Sequence, residues 1–275
     1  METQKPKFVF FGTPDVASQT LEILKNAGYI PSLVVTAPDK PQGRKMLITP
    51  PSVKVWAEAN NVPYIQPEKI TDEVLNEIKN KNYDLAIVVA YGKILPEKLI
   101  KSPRLGSINI HYSLLPKYRG ASPVESAILA GDTETGVSIQ QMEYKMDAGP
   151  IIAEEKVIIL PTETTEELRA RLIQIGGNLL VKILPDILEQ KISPQPQDES
   201  QATFSKKIKK EDGLVDVKVE PSQTLYNKFR AYHKWPRIYY FDENKKRVII
   251  THATLIDSKF VIKKIIPEGG KERNY

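Results

Sequence analysis

Asn109 and His111 stand two positions apart at the end of the run Gly106-Ser-Ile-Asn-Ile-His111. If that run is a strand, side-chain alternation sends the amide and the imidazole to one face and Ile110 to the other. An amide N–H can stabilise a developing oxyanion, and an imidazole exchanges protons near neutral pH. Downstream, Met146-Asp147-Ala-Gly149 places a carboxylate at a bend between two strand-like runs, residues 136–142 and 151–159. A carboxylate there can orient an imidazole and raise its basicity. Taken as bare residue types, Asn109, His111 and Asp147 suggest general acid–base chemistry with oxyanion stabilisation. Other chemistries lose support. The chain has no cysteine, which excludes disulfides, a thiolate nucleophile and cysteine-ligated metals. Gly12-Thr-Pro-Asp15 follows the first strand-like run but holds a single glycine, and neither G-x-G-x-x-G nor G-x-x-x-x-G-K-[ST] occurs. It reads as a strand-to-helix turn capped by Asp15.

Positioning such a trio requires a sheet whose carboxyl ends converge. Strand-like runs at 8–12, 32–36, 63–65, 84–90 and 106–111 alternate with helical patterns at 16–26, 52–60, 72–81, 123–130 and 164–190. Residues 84–90 are nearly all apolar, as in a strand covered on both faces. The alternation predicts a doubly covered, mostly parallel α/β sheet with function at its carboxyl ends. Residues 37–51 read as a loop rich in proline, glycine and basic side chains. Residues 192–203, rich in Pro, Gln, Ser and Asp, read as a linker. Beyond it come a helix at 222–232 and strands at 238–241, 248–256 and 260–266. Such a small β-rich unit must lean on the first for its core. The division is therefore 1–190, a linker at 191–203, and 204–275.

The 275 residues are 41% hydrophobic and 27% charged, which excludes disordered and fibrous classes. Net charge is +5, unevenly spread: residues 1–190 hold 21 basic and 23 acidic side chains (net −2), and residues 191–275 hold 18 and 11 (net +7). That asymmetry points to a polyanion met by the C-terminal part. No apolar run approaches the roughly 18 residues of a membrane span, and the polar N-terminus lacks a signal core. A cytoplasmic protein with no membrane partner is expected.

The run Asn109-Ile-His111-Tyr-Ser113-Leu-Leu-Pro116-Lys-Tyr-Arg119-Gly120-Ala-Ser-Pro123, with Gly136-Val-Ser-Ile-Gln-Gln-Met142 and Asp147-Ala-Gly149 downstream, resembles the formyltransferases that use 10-formyltetrahydrofolate. The resemblance implies a Rossmann-like formyltransferase domain and a β-barrel-like (OB-like) C-terminal domain. It implies that Asn109 and His111 contact the formyl oxygen, while Asp147 holds His111 and helps take the amine proton. Whether His111 or Asp147 moves that proton stays open. It implies a folate co-substrate lying against Ala90, Tyr91, Gly92, Ile94, Leu95 and Pro96, against Ser113, Leu114, Leu115 and Pro116, and against Met142 to Asp147, with no metal.

Residues 36–54 resemble a loop inserted in the branch of the family that formylates initiator methionyl-tRNA. There Lys40, Arg44 and Lys45 would contact phosphates near the RNA 3′ end. Lys207-Ile-Lys-Lys-Glu-Asp-Gly213 and Arg230-Ala-Tyr-His-Lys-Trp235-Pro236 resemble its second domain, and Lys207, Lys209, Lys210 and Arg230 would neutralise the acceptor stem. Trp235, Tyr239 and Tyr240 are read as core. A monomer is expected. The rival readings are a sugar N-formyltransferase, which the Arg44 loop and basic second domain oppose, a degenerate RNA-binding protein, which the intact trio opposes, and a folate-site hydrolase. Two departures stand out. The second domain is short for the family, with the deficit placed near 256–259, and Tyr144 and Lys145 replace small or acidic residues.

Overall fold

Phe8 and Phe10 enter one apolar core and Val9 and Phe11 another, because strand β1 (Phe8–Gly12) runs between two helical layers. The computed structural model describes residues 5–43 and 46–275. After β1 the chain forms α1 (Asp15–Asn26), β2 (Leu33–Val35), the short pair β3 (Lys40–Gln42) and β4 (Leu47–Thr49), α2 (Ser52–Ala59), β5 (Tyr64–Ile65), α3 (Asp72–Lys79) and β6 (Leu85–Val89). Next come α4 (Glu97–Ile100), β7 (Ser107–His111), β8 (Arg119–Gly120), α5 (Pro123–Ala130), β9 (Glu134–Gln141), β10 (Ile151–Ile158) and α6 (Thr165–Leu188). The chain ends with β11 (Phe204–Ser205), α7 (Ser222–Ala231), β12 (Tyr239–Phe241), β13 (Arg247–Ile256), β14 (Lys259–Pro267) and β15 (Arg273–Asn274).

The main sheet has seven strands in the order β10-β9-β7-β6-β1-β2-β5. Five are parallel; β9 runs antiparallel to β7, and β10 antiparallel to β9. The mostly parallel α/β sheet read from the sequence is the one observed. Leu85, Ile87 and Val89 of β6 and Ile108 and Ile110 of β7 join a core with Leu21, Leu24, Leu168 and Leu172. On the other face, Ala86 and Val88 pack with Leu75, Ile78 and Leu99. Each fully buried side chain of this size contributes about 1.5–3 kcal/mol relative to exposure. With Ile110 committed to the first core, alternation sends Asn109 and His111 to the opposite face at the carboxyl end of the strand.

Two local readings change. Residues 37–51 are not simply a loop, since β3 and β4 pair in antiparallel register there; Arg44 and Lys45 lie outside the described residues. Asp15 is the first residue of α1, Pro14 is the N-cap, and no side chain caps that end.

The C-terminal part carries an antiparallel four-stranded sheet in the order β12-β13-β14-β15. Among the described residues its order does not close on itself; beyond β12 an isolated bridge joins Leu214 to Tyr239. Asp257 and Ser258, both in the left-handed region, make a tight turn between β13 and β14, where the deficit in length was placed. Leu225, Phe229, Ile238, Val248 and Ile250 belong to the same apolar core as the main sheet. Thr165 Oγ1, at the start of α6, donates to the carbonyl of Ala231 in α7 at 2.9 Å.

Candidate active site

At the carboxyl end of β7, Asn109 is half-buried and His111 is buried. His111 Nδ1 lies 3.7 Å from Asp147 Oδ2, and Asn109 Nδ2 donates to Asp147 Oδ1 at 3.5 Å. The structure therefore brings all three sequence-predicted polar residues together. The other ring nitrogen, Nε2, is 3.0 Å from the carbonyl oxygen of Tyr118. A carbonyl only accepts, so Nε2 carries a proton and Nδ1 is the nitrogen turned toward Asp147. Burial pushes the His111 imidazole below its ordinary pKa, and the charge of Asp147 and the Tyr118 carbonyl oppose that shift.

Asp147 sits in the left-handed region at φ +49°. Aspartate adopts this region more readily than most non-glycine residues. Gly120 N donates to Asp147 Oδ2 at 2.8 Å, and Gln140 Nε2 to Oδ1 at 3.0 Å. Two glycines make the arrangement possible. Gly120 has φ +111°, and a Cβ there would lie 2.7 Å from the carbonyl oxygen of Ser205. A Cβ on Gly149 would lie 1.7 Å from the carbonyl oxygen of Gln141.

Sequence reasoning missed the residues that reach this loop from 192–203. Gln197 Nε2 donates to the carbonyls of Asp147 (2.9 Å) and Gly149 (2.7 Å). Arg119, fully buried on β8, donates to Gln197 Oε1 and to both carboxylate oxygens of Glu199. Lys145 also pairs with Glu199 at 2.6 Å, and hydrogen bonds from Arg119 and Lys145 bring the Glu199 carboxyl down to about 2. A fully buried arginine must find a partner, and a Gln-x-Glu in a polar segment is a weak sequence hint of where.

The residues assigned to the folate divide. Ala90 (φ +47°), Gly92 (φ +77°) and Ile94 are exposed at the carboxyl end of β6, whereas Tyr91 and Leu95 are buried beneath them. Burial pushes the Tyr91 hydroxyl up to about 12. Among the described residues, no backbone partner occurs for the N–H groups of residues 92–95. Pro96 and Met142 are half-buried, and Met142 packs against the second core. Ser113 and Leu115 turn inward. Ser113 is fully buried and donates to the Lys117 carbonyl at 2.6 Å, and Leu115 is buried, because the turn after β7 packs inward on β9. Leu114, half-buried, leans on Gly136, and Pro116 follows a cis bond. The Ser113 and Leu115 side chains are thus turned into the fold, while Leu114 and Pro116 stay partly exposed. Among the described residues, no cluster of three or more His, Asp and Glu side chains forms a metal site.

The basic residues also divide. Lys40 lies on β3, and Lys207, Lys209 and Lys210 are exposed just after β11, whose register partner is β8. Arg230, assigned to RNA, is a correction: it is only 5% exposed, and its guanidinium donates to the carbonyls of Glu163 and Leu160 and to Asn227 Oδ1. Its position on the inner face of α7 spends the charge inside the fold. Trp235, read as core, is 56% exposed, whereas Tyr239 is buried. Among the described residues, no helix is long and apolar enough to cross a membrane.

A mostly parallel sheet gathers an amide, an imidazole and a carboxylate beside the end of β7, and the chain belongs to the formyl transferase family. Residues 6–184 match the family described as Formyl transferase, and residues 207–271 match Formyl transferase, C-terminal domain. More particularly, the chain is similar to the methionyl-tRNA formyltransferase of Chloroflexus aggregans, 44% identical over 86% of this chain and 76% of the relative. It is similar also to the methionyl-tRNA formyltransferase of Thermotoga maritima, 42% identical over 92% of this chain and 80% of the relative. Among solved structures, a 4-N formyltransferase from Francisella tularensis shares the fold, with TM-score 0.70, 23% identity and coverage of 90% of this chain and 97% of that one.

Proposed function

We propose that this enzyme transfers the formyl group of 10-formyltetrahydrofolate to the α-amino group of methionyl-initiator tRNA, in the cytoplasm and as a monomer. The observation that carries the chemistry is Asp147 joined to both Asn109 and His111, 3.5 and 3.7 Å away. The RNA substrate is supported by relatives 39–44% identical that bear that activity in their names. We divide the chain into a catalytic part, residues 1–190, a connecting segment, 191–203, and an RNA-facing part, 204–275.

The residues at the end of β6 fit a folate. A pterin edge alternates donors and acceptors, and residues 92–95, whose main-chain groups lack backbone partners among the described residues, could supply both beside the exposed Ile94. Transfer forms a C–N bond between the amine and the formyl carbon and breaks the bond to the folate nitrogen. The attacking amine gives up one proton and the folate nitrogen gains one. In between, negative charge collects on the formyl oxygen. Asn109 Nδ2, already polarised toward Asp147, is the donor for that oxygen, and His111 presents Nδ1 from the same face. Nε2 is occupied by Tyr118, so the proton that His111 exchanges is on Nδ1, in contact with Asp147. With burial favouring the neutral ring, Nδ1 holds a lone pair that can take the amine's proton, and Asp147 favours the protonated ring that results.

RNA would approach along β3 and β4 on one side and the exposed lysines of 206–210 on the other. Those lysines begin directly after Ser205, the register partner of Gly120, whose N–H holds Asp147. Single-turnover transfer with saturating methionyl-tRNA tests the assignment. His111→Ala and Asp147→Asn should each slow it by about 100-fold or more; rates near the parent's in both variants would overturn it.

A further inference from the structure

Gln197 belongs to the segment read from sequence as a passive connection, yet its side chain is the bridge between a buried cation and the catalytic loop. Its oxygen accepts from Arg119 Nε at 3.1 Å and Nη2 at 2.7 Å. Its amide donates to the carbonyls of Asp147 and Gly149 at 2.9 and 2.7 Å, with Gln140 Oε1 farther off at 3.4 Å. A carboxamide has two donor hydrogens and one two-lone-pair oxygen, so this one is fully used. Arg119 is fixed in turn by Glu199, two residues along the same segment, and neighbours Gly120, the N–H that holds the Asp147 carboxylate. The loop is thus gripped twice: from below through Gly120 and Gln140 on the side chain, and from the connecting segment through Gln197 on the main chain.

We propose that Gln197 is a positioning residue for formyl transfer: by clamping the carbonyls of Asp147 and Gly149 to Arg119, it keeps the Asp147 carboxylate between Asn109 and His111. The proposal rests on the reading of Asp147 as the catalytic carboxylate. It also makes the segment that leads to the RNA-facing part a structural member of the active site. Losing the two carbonyl contacts would leave the main chain of this bend without its side-chain hold. A displacement of about 1 Å at a reacting group can cost on the order of 100-fold in rate.

Two substitutions separate this role from mere support of Arg119. Gln197→Glu keeps both oxygen contacts to Arg119 and turns the two donors into an oxygen that the Asp147 and Gly149 carbonyls repel. Gln197→Met removes both sets. Single-turnover transfer to methionyl-tRNA should fall by on the order of 50-fold in each, with folate and RNA dissociation constants within about twofold of the parent. In an Asp147→Asn background, adding Gln197→Glu should cost less than about threefold, because the effect passes through Asp147. A Gln197→Glu rate near the parent's, or a full multiplication of the two losses, overturns the proposal. If Gln197→Met does not fold, Gln197→Glu carries the test alone, since Arg119 keeps its acceptors. A fast Asp147→Asn enzyme would overturn the underlying site reading together with this proposal. A slow one with multiplicative losses overturns the role of Gln197 alone.

Discussion

Gly120 donates its backbone N–H to Asp147 Oδ2 at 2.8 Å, joining two stretches of chain 27 residues apart at the point where the proposed chemistry occurs. Gly120 lies on β8, and Asp147 lies in the bend between β9 and β10. The same carboxylate faces His111 and Asn109, so this hydrogen bond, with that from Gln140, helps set the geometry of the trio.

That geometry has a consequence for titration. Burial lowers the His111 pKa and the charge of Asp147 raises it, so Asp147→Asn removes the opposing influence. The midpoint for His111 should move to lower pH than in the parent, as followed by the NMR shift of its ring Cε1 proton. Asparagine tolerates the left-handed backbone of this position, so the fold is retained. A midpoint that stayed in place or rose would contradict the contact.

Gly149→Ala should be slow rather than unfolded. The added Cβ would meet the Gln141 carbonyl at 1.7 Å, so the bend must shift and carry Asp147 with it. A loss on the order of 100-fold in single-turnover rate is expected, with the melting temperature changed much less. Parent-like turnover would show that the bend can move without cost to the chemistry.

Arg230 and the exposed lysines should behave as opposites. Arg230→Met strands the buried Glu163 carbonyl and removes one of two donors to Asn227 Oδ1, and should destabilise the protein by roughly 1–3 kcal/mol in denaturant titration, leaving the salt dependence of RNA binding unchanged. Lys207→Ala with Lys210→Ala should leave stability nearly unchanged and reduce the log–log salt slope by about 1–2. An altered salt slope in Arg230→Met would reverse the structural assignment of that residue.

The contrast shows which parts of the molecule were legible in sequence. Asn109 and His111 were readable because alternation along one strand is a local rule and Ile110 marks the buried face. The helices 123–130 and 164–190 were readable for the same reason, from apolar spacing. Gln197, Glu199 and Arg119 were not, because their meaning lies in contacts across about 80 residues and a polar segment has no period to betray it. Arg230 misled because a count of charges is blind to which face of α7 turns inward. The β3–β4 pair escaped because two three-residue strands around a Pro- and Gly-rich segment leave no alternation long enough to see.

The most direct measurement is formyl transfer from 10-formyltetrahydrofolate to initiator methionyl-tRNA, run beside a nucleotide-linked amino sugar under the same conditions. Transfer to the tRNA with none to the sugar is the predicted result, and activity on the sugar alone would contradict the account.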